Sequence, residues 1–315
     1  MKDLTIIVPV YRDHEVLEEI CDRFERCIKG QVTYEIVFVN DGNAHNEVYF
    51  SLEELNRRSV VRVIHLSRNF GQHVAIAAGM KNAKGKYILV IDSDLQYYPE
   101  DCFKLYQWAR DQKKSAVLTV LEEKAHSFFK KITSRIYFGV MSKLSDTHRP
   151  NLGSVFLVSA HVAQGLCKMG DRHRMTIPMI FWLAGSIHFF PISHYPRTFG
   201  TSSYSIYRLL KLGVFGVVTH SSRLLYLSFV LAMGFSVIAL GIAFELIMQW
   251  FLQGQNFLSG WLSTILVILV STAGILSCLG IMGLYLAKVF ENTIGRPLYF
   301  VQDQGDDTAQ LFEES

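Results

Sequence analysis

Tyr87-Ile-Leu-Val-Ile-Asp92-Ser-Asp94 is the stretch on which the fold of this 315-residue chain turns. Its short run of apolar and β-branched residues reads as a buried strand, and two carboxylates follow where a parallel sheet presents its ligand contacts. Working outward, similar runs recur at 4–10, 35–39, 60–66 and 115–120. Longer amphipathic stretches at 15–28, 46–56, 72–81 and 100–110 separate them and read as helices. This alternation predicts an α/β domain with a Rossmann-like, doubly wound and mostly parallel sheet. A second sheet segment is expected at 186–194, and a basic amphipathic helix at 127–145, followed by irregular chain around Thr147-His-Arg-Pro-Asn-Leu-Gly153.

Half of the residues are hydrophobic, yet the first two thirds of the chain are too polar for a polytopic membrane protein. The apolar residues concentrate at 224–248 and 261–287, each longer than the roughly 20 residues that cross a hydrocarbon core. Only Glu245 interrupts them, close enough to one end to snorkel. Arg208, Lys211 and Arg223 precede the first run, Lys288 and Arg296 follow the second, and 249–260 carries no Lys or Arg. That distribution predicts a two-pass anchor with both termini and the α/β domain on the cytoplasmic face of the membrane. The expected organisation is an α/β domain over 1–200, an interfacial helix over 201–223 lying against membrane lipid, a two-helix hairpin over 224–287 and a cytoplasmic tail over 288–315. The apolar run at 4–10 is too short for a signal peptide. Gly234 and Gly241 give the first span a small-residue face for the second span or for a neighbouring copy, so a homo-oligomer is among the expected partners.

Other classes lose support. A net charge of +3 is too small to argue for nucleic acid. The five cysteines are scattered without a Cys-x-x-Cys pair, as in a reducing compartment. Gly79-Met-Lys-Asn-Ala-Lys-Gly-Lys86 has the wrong spacing for a phosphate loop, ends in Tyr87 where Ser or Thr is needed, and no Gly-x-Gly-x-x-Gly follows a strand.

The residues after each strand are the candidate site. Asp92 and Asp94 are suited to a hard divalent cation, Mg²⁺ or Mn²⁺, that would neutralise a diphosphate leaving group. The same tripeptide also serves as a solvated turn capping the next helix. Asp41 and Asp13 follow the second and first strands, where each either accepts hydrogen bonds from a base or ribose or belongs to a turn, Asn40-Asp-Gly42 being strong turn chemistry. Pro9 and Tyr11 either shape a base pocket or pack. Arg197, in a Gly- and Ser-containing loop with Ser202, either grips a phosphate or faces anionic headgroups. His188 and His194 read as structural, and Lys130, Lys131 and Arg135 as an ordinary basic helix face.

Together these motifs resemble the family 2 glycosyltransferases that load a sugar onto a polyprenyl phosphate, the group of dolichol-phosphate mannose synthase and bactoprenol glucosyltransferase. The resemblance rests on Ile7-Val-Pro-Val-Tyr11, Val39-Asn-Asp-Gly42, Leu66-Ser-Arg-Asn-Phe-Gly71, Asp92-Ser-Asp-Leu-Gln96, Arg197 to Ser205 and Arg296-Pro-Leu-Tyr299. It implies a GT-A fold and a metal held by Asp92 and Asp94. It also implies donor contacts from Pro9, Tyr11, Asp13, Asp41, Ser93 and Gln96, and phosphate contacts from Arg197 and Ser202. The implied reaction is inverting transfer of a sugar from a nucleotide-diphosphate donor, a UDP-sugar favoured, to a polyprenyl phosphate such as undecaprenyl phosphate. The product would be a lipid-linked monosaccharide for cell-surface glycan modification, for instance of lipopolysaccharide or O-antigen. A lipid phosphate is already anionic near neutral pH, so no strong general base is required.

This chain departs from the family pattern at several points. Asn40 and Asn43 stand in the usual Asp-Asp-Gly-Ser, and Arg12-Asp13 replaces Asn-Glu. Thr119-Val-Leu121 occupies the place of Gly-x-Arg, and Gly153-Ser-Val-Phe156 that of Gly-Asp-Phe-Arg. Tyr97-Tyr98 replaces Asp-Pro after Gln96, and Ser203 stands where Lys or Arg is common. With the carboxylate pair and Arg197 kept, these changes point to an altered donor sugar. A second reading is a non-catalytic membrane scaffold that binds a nucleotide sugar. A processive polysaccharide synthase would need further spans and a Gln-x-x-Arg-Trp motif, which this sequence lacks.

Overall fold

The structure, a computed structural model, describes residues 2–11, 15–42, 46–121, 151–169, 176–196, 223–253 and 261–302. The first half alternates as its periodicity dictates: β1 (Lys2–Val10), α1 (Leu17–Ile28), β2 (Tyr34–Asn40), α2 (Asn46–Asn56), β3 (Val61–His65), α3 (Gln72–Asn82), β4 (Gly85–Val90), α4 (Pro99–Asp111) and β5 (Ala116–Leu121). Then come β6 (Leu152–Ser159), α5 (Ala160–Lys168), α6 (Thr176–Leu183), β7 (His188–Ile192) and two long helices, α7 (Arg223–Gln253) and α8 (Trp261–Thr293).

One seven-stranded sheet runs in the order β3-β2-β1-β4-β6-β5-β7. β1 pairs in parallel with β2 and β4, β2 with β3, and β5 with β7. β6 lies antiparallel between β4 and β5. The sheet is therefore mixed, although most of its pairings are parallel. The sequence reading assigns no strand to 152–159, because a four-residue apolar run, Val155 to Val158, carries no periodicity that separates strand from helix. The expected second sheet segment joins this same sheet as its edge strand β7. The expected helices at 127–145 and 201–222 lie outside the described residues.

Period-2 alternation explains the layers. Leu4, Ile6, Val8 and Val10 of β1 and Ile36 and Phe38 of β2 pack with α1, α2 and α4. Ile7, Val37 and Val39 point the other way, toward α3, α5 and α6. Strands covered on both faces read as near-continuous apolar runs, as these do. Each fully buried Leu, Ile or Phe contributes about 1.5–3 kcal/mol. Of the thiols, burial pushes Cys21 up to about 12, which leaves it inert.

The chain divides into two compact units. Of the described residues, the first holds the sheet, its helices and 296–302; the second holds α7 and α8. Within the second, α7 and α8 pack on each other, and Gly274 of α8 takes the Phe235 ring of α7 at 3.2 Å from where a Cβ would stand. Among the described residues, one stretch, Val270–Thr293, is long and apolar enough to cross a membrane, and α7 carries the shorter apolar stretch Ala232–Ile242.

Candidate active site

The strand order reverses beside β1: β2 and β3 lie on one side of it and β4 on the other. In open α/β sheets this switch point leaves a crevice at the carboxyl ends of the strands, where ligands bind. Four loops meet there: Tyr11 after β1, Asp41 after β2, 66–71 after β3 and Asp92 to Gln96 after β4.

Asp41 organises the second and third of these. Its amide donates to the carbonyl of Val10 at 2.9 Å. Its two carboxylate oxygens accept from the amides of Phe70 (2.8 Å) and Gly71 (2.9 Å). The side chain is 3 % exposed, and burial raises its pKa, with the two amides pulling the other way. Gly42 lets the loops close: its φ is +65°, and a Cβ there would stand 1.7 Å from the carbonyl carbon of Arg68. Thus Asp41, read from the sequence as either a nucleotide contact or a turn residue, serves at least as the clamp that holds 66–71 in place.

The loop after β4 is a tight turn. Leu95 takes a φ of +54°, costly for a branched residue, and is held there by burial at 3 % exposure. Asp94, 9 % exposed, accepts from the amide of Gln96 at 3.1 Å, and Ser93 is buried beside it. Asp92 is gripped from two sides. The Nε2 of Gln72, the first residue of α3, donates to its Oδ1 at 2.6 Å, and the hydroxyl of Ser154 on β6 donates to its Oδ2. The Ser154 amide in turn donates to the Tyr97 hydroxyl at 3.4 Å. Burial pushes the Tyr97 phenol above its usual range, keeping it neutral.

The segment after β7 docks on the same turn. The Tyr195 amide donates to the carbonyl of Gln96 at 2.9 Å, and its ring stacks on Tyr98 at 3.7 Å and 8°. The Arg23 guanidinium covers Tyr98 at 4.0 Å from the ring centroid. His194 meets the Tyr97 ring edge-on at 5.3 Å.

The structure therefore brings Asp41, Asp92, Ser93, Asp94 and Gln96 to one edge of the sheet. Tyr11 stands there too, 43 % exposed, while Pro9 is buried within β1 opposite Val39. Asp13, Arg197 and Ser202 lie outside the described residues. Gln72 and Ser154 escape a reading of the sequence because each reaches Asp92 from a distant part of the chain, 20 and 62 residues away. Ser154 had one visible signal: it occupies the place of the acidic residue in the Gly-Asp-Phe-Arg pattern that the chain lacks.

The donor set can be tested against a divalent ion. Among the described residues no three His, Cys, Asp or Glu side chains converge on one point. What exists is a pair of carboxylates on one tight turn, held by hydrogen bonds at Asp92 and Asp94. That fits a small hard cation that keeps water and takes its remaining ligands from substrate phosphates. Ser154→Ala should lower kcat/KM roughly tenfold, the worth of one hydrogen bond to a charged group, because it removes one of the hydrogen bonds that hold Asp92. Ser154 is exposed, so the melting temperature should barely move; steady-state kinetics beside a melting curve checks both.

Known proteins resemble this chain at the level of family and sequence. The family model described as glycosyl transferase family 2 matches residues 5–172. The uncharacterized glycosyltransferase YkcC of Bacillus subtilis is 27 % identical over 314 residues, covering 98 % of this chain and 97 % of that protein. The undecaprenyl-phosphate 4-deoxy-4-formamido-L-arabinose transferase of Yersinia pestis is 28 % identical over 311 residues, covering 96 % of this chain and 93 % of its own length. Among solved structures, glucosyl-3-phosphoglycerate synthase from Mycobacterium tuberculosis, in complex with Mn²⁺, uridine diphosphate and phosphoglyceric acid, aligns with a TM-score of 0.49 at 10 % identity, over 69 % of this chain and 77 % of that one.

Proposed function

Because this chain belongs to glycosyl transferase family 2 and is a glycosyltransferase, we propose that it transfers a sugar, with inversion, from a nucleotide-diphosphate donor, a UDP-sugar favoured, to a polyprenyl phosphate such as undecaprenyl phosphate. The observation that supports this most is the carboxylate pair Asp92 and Asp94 on one rigid turn, at the switch point beside the Asp41 clamp. The acceptor reading draws on the Yersinia relative, whose name gives undecaprenyl phosphate and whose similarity runs nearly end to end. It also draws on a helix apolar enough to sit in a bilayer.

In this mechanism the loops after β1, β2 and β3 receive the nucleoside, with Tyr11, Asp13 and Asp41 as the donor contacts. Asp92 and Asp94 would hold Mg²⁺ or Mn²⁺, which when bound would neutralise the charge that develops on the leaving diphosphate. Gln72 and Ser154 keep Asp92 aimed, and the Leu95 turn keeps Asp94 aimed. An oxygen of the lipid phosphate attacks the anomeric carbon as the bond to the nucleoside diphosphate breaks. Arg197 and Ser202, close in sequence to the Tyr195 anchor, receive the acceptor phosphate. The α7–α8 pair is a two-pass hairpin with the catalytic unit on the cytoplasmic face, and the lipid-linked monosaccharide serves cell-surface glycan modification. The fold of the catalytic unit is GT-A, with 1–200 as its domain.

Purified full-length protein, incubated with undecaprenyl phosphate, a panel of nucleotide sugars and Mg²⁺ or Mn²⁺, should give a lipid-extractable glycosylated product detected by mass spectrometry. Chelation by EDTA should reduce the product to background, with restoration by either ion. If no donor in the panel yields product, the polyprenyl-phosphate reading is wrong.

A further inference from the structure

The segment that follows α8 returns to the sheet. Leu66 and Val301 form an antiparallel bridge. The Ser67 amide donates to the Phe300 carbonyl at 3.0 Å, and the Gln302 amide donates to the His65 carbonyl at 2.8 Å. On the opposite side, the Leu66 amide donates to the Asn40 carbonyl at 2.9 Å. Residues 300–302 thus cover the open edge of β3 where it turns into the 66–71 loop, and Tyr299 packs against the core on the sheet face that α3, α5 and α6 cover. An uncovered edge strand would leave these backbone groups to water.

We infer that residues 296–302 act as a positioning strap for the donor site, an inference that rests on the proposed function for its catalytic consequence alone. The bridge fixes Leu66 and Ser67 at the start of the loop. Four residues on, the amides of Phe70 and Gly71 meet the Asp41 carboxylate, and the next side chain, Gln72, reaches Asp92. Between the two anchors, the backbone of Arg68 and Asn69 lies so close to Gly42 that no side chain fits between them. Strap, loop, clamp and metal-side carboxylate form one continuous run of backbone and hydrogen bonds within the first unit. Because the strap is also the direct continuation of α8, the C-terminal segment is part of the site, although no residue of it touches the carboxylates.

The test compares the full chain with truncations after Gln302 and after Gly295 and with Gln302→Pro, which deletes one of the two bridging amides. Amide hydrogen exchange reads the strap without requiring turnover. Removal of 296–302 should speed exchange at Phe70 and Gly71 by roughly tenfold or more, while β1 and β4 stay protected. Donor KM should rise roughly tenfold with kcat little changed, as expected when a binding loop loses its preferred position. Truncation after Gln302 should match the full chain in both readings. Unchanged exchange at Phe70 and Gly71 in the Gly295 truncation overturns the strap. Should that truncation also expose β1, Gln302→Pro decides: faster loop exchange supports the strap and unchanged exchange overturns it. Absence of transfer by the full chain would count against the proposed function, while the exchange result still decides the strap.

Discussion

Asp94→Asn should lower kcat by about a thousandfold or more while leaving the fold intact, because stabilisation of developing charge at a leaving group is commonly the largest single contribution to such a reaction. The substitution keeps the size and the oxygen that accepts from the Gln96 amide, so the Leu95 turn should survive. What it removes is one negative charge from a pair suited to a divalent ion. Asp92→Asn should act in the same direction and in addition disturb the bonds from Gln72 and Ser154. The check is single-turnover transfer at saturating donor together with a melting curve. A non-catalytic scaffold predicts full complementation in cells by Asp94→Asn. Turnover within tenfold of wild type would remove the pair from the chemistry.

Gly42→Ala is expected to be nearly as damaging, for a steric reason. An added methyl would stand 1.7 Å from the Arg68 carbonyl carbon and 2.2 Å from the Asn69 nitrogen, both backbone atoms that cannot rotate away. Either the 66–71 loop leaves or the turn after β2 opens, and in both cases the Asp41 carboxylate loses its two amide donors while still buried. Steric displacement and stranded polar groups together should cost about 3 kcal/mol or more. In a unit of this size that is a fall in Tm of roughly 6–12 °C. Donor affinity, measured by calorimetry with the nucleotide, should fall a hundredfold or more. Gly30→Ala is the control: its φ is also positive, at +72°, but nothing lies within 4 Å of the added carbon. It should cost only the backbone strain of about 1–2 kcal/mol and leave nucleotide binding unchanged.

Much of this was legible in the chain. Strands β1 to β5 and helices α1 to α4 follow from local apolar periodicity, since each buries a face whose spacing is written in consecutive residues. The placement of Asp41, Asp92 and Asp94 follows as well, because a polar residue directly after a buried parallel strand must emerge at the sheet's ligand edge. The family resemblance, four of whose motifs lie at the exits of β1 to β4, is borne out by the match over 5–172. The strand β6 was not legible. Its short apolar run between polar neighbours has no period, and its antiparallel place between β4 and β5 is a matter of pairing, on which local sequence is silent.

The same division holds within the site. Sequence assigned the carboxylates their chemical class and position, because ionised acids at strand ends are a local fact. It could not show that Asp41 spends both oxygens on amides about 30 residues away, that Ser154 grips Asp92 across 62 residues, or that residues 300–302 complete the edge of β3. Those are contacts between segments remote in the chain, and they exist because packing of the sheet's two faces brings the loops to one rim. The chain's periodicity sets out the strands and their reactive ends. Long-range packing then determines which side chains hold those ends still.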